Sequence, residues 1–132
     1  MAMNKYILAA AAILVVALGL VLGSARTDTT AIRLGVIISE TGVAASFGEM
    51  SHKGIVLAVQ EINAKGGIDG RKVEVVFEDD QTNPTVALSA YQKLVSVDNV
   101  SAIIGSNFDF VTQPLFAAAK TGTVAVVTPS SP

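Results

Sequence analysis

The chain has no cysteine and a single histidine among its 132 residues. Without thiols it can form neither disulfides nor thiolate metal sites. No cysteine follows its apolar N-terminal run, which sets aside a lipid-anchored lipoprotein. Stability must therefore come from packing. Charge is sparse, at 15% of residues, and is not clustered. With Lys5 set apart, eight basic and eleven acidic residues leave a net charge of −3, with no basic block and no arginine-rich stripe. Nucleic acid is not an expected partner for such a chain.

What the chain does have is apolar residue, 51% of the total, which is enough for one small domain with a core. The figure is inflated by the N-terminus. Residues 1–5 carry one cation, residues 6–22 carry no charge, and Gly23-Ser24-Ala25 follow with small side chains where a signal peptidase prefers them. This pattern reads as a secretory signal with cleavage expected after Ala25. A retained membrane anchor is the alternative, because a run of 17 residues reaches the lower limit of about 17–25 needed to span a bilayer. Either way the remainder is expected to be exported, periplasmic or extracellular, with any membrane contact made only through residues 6–22. Residues 26–30 are then a linker and residues 31–132 the domain.

From Ala31 onward strand-like and helix-like segments alternate. Residues 32–38 form an apolar run with one charge, Arg33. Ile55, Ala58, Val59 and Ile62 follow the i, i+3, i+4, i+7 spacing of an amphipathic helix, which should stop at Lys65-Gly66-Gly67, where glycine can take the left-handed conformation. Val73, Val75 and Phe77 alternate with Lys72 and Glu74, as in a strand with one partly wet side. Asn83-Pro84 is a helix start, with an amide-capping side chain followed by a residue that has no N–H to leave unpaired. Ala87, Ala90, Tyr91 and Leu94 continue it. Residues 100–104 read as a third strand, residues 112–120 as a short third helix ended by Gly122, and residues 123–128 as a fourth strand.

A helix in every strand-to-strand connection implies parallel strands joined by right-handed crossovers, hence an α/β doubly wound sheet. Strand 2 is the most polar and belongs at an edge, while strands 1, 3 and 4 read as covered on both faces. The order 2-1-3-4 satisfies both. Ligands of such sheets bind beyond the carboxyl ends of the strands where the order reverses, here between strands 1 and 3. That selects three loops: residues 39–48, residues 106–111, and the segment from Pro129. Asp109, the acid within "GSNFDF", lies in the second.

Other motifs fall on the wrong side or lack partners. Gly66-Gly67-Ile68-Asp69-Gly70 resembles a phosphate loop but follows a helix and precedes a strand, so it is expected to be a tight turn at the far end of the sheet. The loop after strand 1 has only Gly42 and Gly48, without the spacing of a nucleotide-binding glycine loop. Asp79-Asp80 could hold a hard cation, but nothing nearby completes a ligand set. A turn start that favours the next helix N-terminus explains the pair. His52, placed in the first turn of helix 1, has no serine–acid arrangement pointing at it and is expected at the surface. No nucleophile–base pair or metal cluster occurs in the three loops, so neither an enzyme nor a cofactor is expected.

Thr41-Gly42, the stretch from Leu57 through "EINAKGGI" to Gly70, and Asp79-Asp80 followed by Pro84 carry a resemblance. Together with "GSNFDFVTQPLF" and "VVTPSSP", they make residues 32–132 similar to the type I periplasmic solute-binding proteins, specifically the branched-chain amino-acid and amide binding family of ABC importers. The resemblance implies a two-lobed receptor that closes on a small polar ligand and delivers it to a membrane permease. Residues 31–132 would be the N-terminal part of lobe one, truncated at Pro132 within the third ligand loop. By the same resemblance an aromatic residue in the first loop, a hydroxyl residue in the second, and backbone plus hydroxyl groups in the third hold an amino-acid ligand. Those positions fall on Phe47, Asp109, and Ser130 with Ser131 and Pro132. Asp109 departs from the usual hydroxyl, and Pro132 from a common threonine. A sensory-receptor ectodomain built on the same fold is the alternative.

Overall fold

The computed structural model describes residues 30–130. The expected signal or anchor and most of the linker before Thr30, and also Ser131 and Pro132, lie outside that range. Four strands, β1 (Ile32–Ile38), β2 (Val73–Asp79), β3 (Ala102–Ile104) and β4 (Ala125–Val127), alternate with three helices, α1 (Ala45–Ala64), α2 (Pro84–Ser96) and α3 (Asp109–Thr121). The strands form one sheet in the order β2-β1-β3-β4. All three pairings are parallel. The expected fold class and strand order are both observed. Among the described residues no helix is long and apolar enough to cross a membrane.

Register fixes which side chains share a face. Val36 stands level with Phe77 and Ile104, and Ile104 with Val127, so these four point to one side of the sheet. Ile37 and Ile103 point to the other, where α2 and α3 supply Ala87, Ala90, Tyr91, Leu94, Val111 and Leu115 to a continuous buried core. The α2 positions are those its helical spacing had marked. Gly35 sits under this layer, and a side chain there would meet Leu94 Cδ1 at 2.8 Å.

Helix α1 lies on the opposite face and packs chiefly on β1 and β2. The expected inward stripe is only partly covered there: Ile55 and Val59 are half-buried, while Ala58 and Ile62 are exposed. Periodicity identified the apolar face, but no second helix among the described residues shares that side. At the outer edge of β2, Asn63 pairs with the Val73 backbone, donating to its carbonyl and accepting from its amide, each at 2.8 Å. A sheet edge is thereby satisfied by a side chain.

Local signals set the helix ends. Asn83 caps α2 by accepting from the amides of Thr85 and Val86 at 2.8 and 3.3 Å, with Pro84 as first helical residue. Helix α1 ends where Gly66 and Gly67 adopt φ of +99° and +79°. A side chain at Gly67 would lie 2.0 Å from the Arg71 carbonyl. The following glycine-rich segment is a tight turn closed by reciprocal Ile68–Arg71 backbone bonds of 2.9 Å, as expected. Helix α3 starts at Asp109 and not at residue 112. The N-terminal extension places Asp109 and Phe110 on a helical turn, so the loop after β3 is shorter than expected. Gly122 does end α3, in an extended conformation with φ −93° and ψ 178°.

The unequal covering of the two faces makes a direct comparison possible. Leu94 is fully buried and Leu57 is 57% exposed. Leu94→Ala should cost about 2–5 kcal/mol, against under about 0.5 kcal/mol for Leu57→Ala, read from urea unfolding midpoints. Asn83→Ala should cost about 1 kcal/mol through loss of the cap.

Candidate functional site

The carboxyl ends of β1 and β2 are joined by the acidic pair. Asp80 is completely buried. Its Oδ1 accepts from Ser39 Oγ at 2.5 Å and from the Thr82 amide at 2.8 Å. Asp79 accepts from the Thr41 hydroxyl at 2.5 Å, the Thr41 amide at 3.1 Å and the Gln81 amide at 2.8 Å. The expected turn is present, but the helix that follows is capped by Asn83, and the carboxylates also reach back to hold the loop after β1. Gly48 lets α1 press on the same place, since a side chain there would sit 1.9 Å from the Ser39 carbonyl oxygen.

The second and third loops are tied through one carbonyl. Ser106 O accepts from Thr112 Oγ1 at 3.1 Å and from Thr128 Oγ1 at 2.7 Å. Thr128 Oγ1 also accepts from the Ser130 amide at 3.1 Å and lies 2.9 Å from Ser130 Oγ. Asn107 donates to Ser51 Oγ at 2.8 Å, linking the loop after β3 to α1. All three loops selected by strand order therefore gather at one end of the sheet.

Phe47 lies on the first turn of α1, 54% exposed, with its ring edge-on to Phe108 at a centroid distance of 5.9 Å. Phe108 in turn lies 6.0 Å from Phe110. This three-ring wall was not assigned from the sequence. The two phenylalanines flanking the acid in "GSNFDF" were its visible signal, but their proximity to Phe47 depends on how α1 and α3 meet the sheet. Asp109 is exposed and shares a small cleft of about 40 Å³ with Thr112, Gln113, Phe116 and Ser130. Asp109 and Ser130 are thus brought together, while Phe47 belongs to the neighbouring aromatic wall. Ser131 lies outside the described residues.

His52 departs from the expectation of a plain surface residue. Because α1 begins at Ala45, His52 lies two turns into the helix. Its ring stacks on Phe77 at 4.0 Å and 13°, and its Nδ1 is 2.5 Å from Glu40 Oε1. It is a half-buried strut between α1, β2 and the loop after β1. Among the described residues no group of three or more His, Asp and Glu side chains could hold a metal ion.

Comparison with known proteins agrees with this architecture. The periplasmic binding protein family model matches residues 31–132. An amino acid binding protein of Pseudomonas aeruginosa is 33% identical over 119 residues, covering 90% of this chain and 32% of that protein. The Leu/Ile/Val-binding protein of Escherichia coli is 32% identical over 100 residues, 76% of this chain and 27% of that protein. Among solved structures, the branched-chain amino acid transporter substrate-binding protein LivJ of Streptococcus pneumoniae, crystallised with isoleucine, superposes with a TM-score of 0.72. It is 38% identical, and the match covers 76% of this chain and 29% of that one. The chain belongs to the periplasmic binding proteins of type I, in the branched-chain amino acid transporter family. It spans between about a fifth and a third of the length of the relatives it matches.

The Asp79 latch has a pH signature. Burial, the largest single influence, pushes its carboxyl up, but the Thr41 hydroxyl and the Gln81 and Thr41 amides together outweigh it and hold the group below the usual carboxylate range. A folded-state value below the unfolded one stabilises at pH above the unfolded value, and that contribution is lost as pH falls through the folded value. Asp79→Asn should therefore be less stable than the parent at neutral pH. The gap should narrow as pH falls below about 4, measured by denaturant midpoints across pH.

Proposed function

We propose that the chain supplies part of the ligand-binding lobe of an exported solute-binding component of an ABC importer, which takes an amino acid or a related amide or cationic small molecule and presents it to a membrane permease. Family membership supports the class, and the gathering of three loops beyond the carboxyl ends of β1, β3 and β4 is the observation that carries the site. The relatives are binding proteins of transporters and not enzymes.

Phe47 and the rings beside it offer apolar faces, Ser130 a hydroxyl oxygen, and Asp109 an acceptor-only carboxylate. Asp109 sets the preference. An anionic ligand group about 4 Å from it would be repelled by about 1 kcal/mol in water and more with partial burial. An ammonium, guanidinium or amide N–H would instead gain a charge-assisted hydrogen bond. The ligand we infer therefore presents a donor, and not its carboxylate, to Asp109. Ser131 completes the set as a third-loop hydroxyl.

Two outcomes test this reading. High affinity in a two-lobed receptor needs contacts from both lobes and exclusion of water. Calorimetry of the 132-residue chain alone against amino acids and short amides should accordingly show no micromolar binding. In a two-lobed protein that carries residues 31–132 in its first lobe, Asp109→Ser should weaken a cationic or amide ligand by about tenfold or more, the equivalent of one such hydrogen bond. Tight leucine or valine binding by the unsubstituted form, or an unchanged ligand profile in Asp109→Ser, would show that the carboxylate plays no part in selection.

A further inference from the structure

The N-terminal half of α1 carries Phe47, yet apolar packing does little to hold it. Around the helix start, Val43, Phe47 and Met50 are 97%, 54% and 63% exposed. The helix begins at Ala44 without a side-chain cap, and within it the one buried residue is Gly48. Directed contacts therefore set where this end of the helix sits.

Two of them come from neighbouring residues and reach to opposite sides of the crevice. Ser51 accepts from Asn107 in the loop after β3. His52 turns toward β2, the strand at the sheet edge, where its ring lies on Phe77 with 4.0 Å between centroids and 13° between planes. Its Nδ1 meets Glu40 Oε1 at 2.5 Å. An ionised carboxylate can accept a hydrogen bond but not donate one, so Nδ1 carries the hydrogen. The bond lies in the plane of the ring and the stack along its normal, so together they leave the ring one orientation.

Glu40 is itself anchored. Ser39 before it donates its hydroxyl to Asp80 at 2.5 Å, and Thr41 after it donates its amide and hydroxyl to Asp79 at 3.1 and 2.5 Å. Three successive residues of the first loop are thus each held by a side chain from another element. Glu49 and Lys53, which line the same small cleft as Glu40 and His52, are paired with each other at 2.6 Å and leave Glu40 to the ring.

We propose that His52 is a positioning residue for the candidate site: bridging Phe77 and the anchored Glu40, it fixes the first turns of α1 so that Phe47 stands edge-on to Phe108. Five residues of helix separate His52 from Phe47, a rise of about 7.5 Å, so a shift at the ring is carried to Phe47 by a stiff rod. The two phenylalanine rings lie 5.9 Å apart, and a shift of about 2 Å would take them beyond the range of about 4.5–7 Å in which such pairs attract. That Phe47 faces a ligand rests on the function proposed above, whereas its placement by His52 does not.

Glu40→Ala tests this without entering the core, because the Glu40 side chain is exposed. His52→Phe keeps a ring to stack on Phe77 and removes the hydrogen bond. The 132-residue chain is compared with these two variants and their combination, with no ligand added. Two readouts report on Phe47: ring-to-ring nuclear Overhauser contacts with Phe108, and hydrogen exchange of the Phe47 and Gly48 amides, both of which donate to the Ala44 carbonyl. The amides of Tyr91 and Leu94, buried residues of α2, are the control. Expected in each single variant are weakened Phe47–Phe108 contacts and exchange at Phe47 and Gly48 faster by about tenfold or more, with Tyr91 and Leu94 unchanged. The double variant should exchange no faster than His52→Phe, since Glu40 acts through the ring. Parental contacts and rates in Glu40→Ala would overturn the proposal, and so would effects that multiply in the double variant. Equal acceleration at Phe47 and Leu94 would also overturn it, by showing a general loosening in place of the placement of one helix end. The ligand reading is judged separately, by calorimetry and Asp109→Ser.

Discussion

Everything functional in this chain depends on β1 being paired on both sides. Its register with β2 extends over all seven residues, and with β3 over three. Because β1 comes first in sequence but second in the sheet, the chain must leave it in one direction and later pass to its other side. Right-handed crossovers then send α1 to one face and α2 and α3 to the other. The loops after β1 and β3 diverge at that point and leave a crevice beyond their carboxyl ends. That the loops bearing Phe47, Asp109 and Ser130 gather at one end of the sheet follows from strand order before any side chain is considered.

Hydrogen bonds convert that crevice into defined geometry. Asp79 ends β2 and Asp80 follows it; they satisfy the turn amides of Gln81 and Thr82, yet each also holds a hydroxyl of the loop after β1. Across the crevice, the Ser106 carbonyl joins Thr112 of α3 to Thr128 at the end of β4. Each loop is thus fixed by a partner distant in sequence. Buried polar groups that find partners in this way set one arrangement among many that hydrophobic packing alone would tolerate.

The two faces differ in how completely they are built. Leu94, Ile103, Val111 and Leu115 are fully enclosed on the α2–α3 side, whereas the α1 side leaves Leu57, Ile62 and Val127 in contact with solvent. An apolar stripe at helical spacing marks a face that favours burial, but burial also needs a second surface.

The sequence by itself determined the element order, the parallel sheet with β2 at its edge, the α2 core positions, the Asn83 cap and the turn at Gly66 to Gly70. Each is decided by hydrophobic period, by proline and glycine geometry, or by the handedness of short connections, all of which act locally. Only the tertiary structure decided where α3 begins, that His52 stacks on Phe77, that Asp79 and Asp80 latch a second loop, and that Phe47 meets Phe108. Those are contacts between segments 25 to 61 residues apart. They depend on the register of strands and the seating of helices, and no local pattern encodes the distance between two side chains that meet only after the sheet has formed.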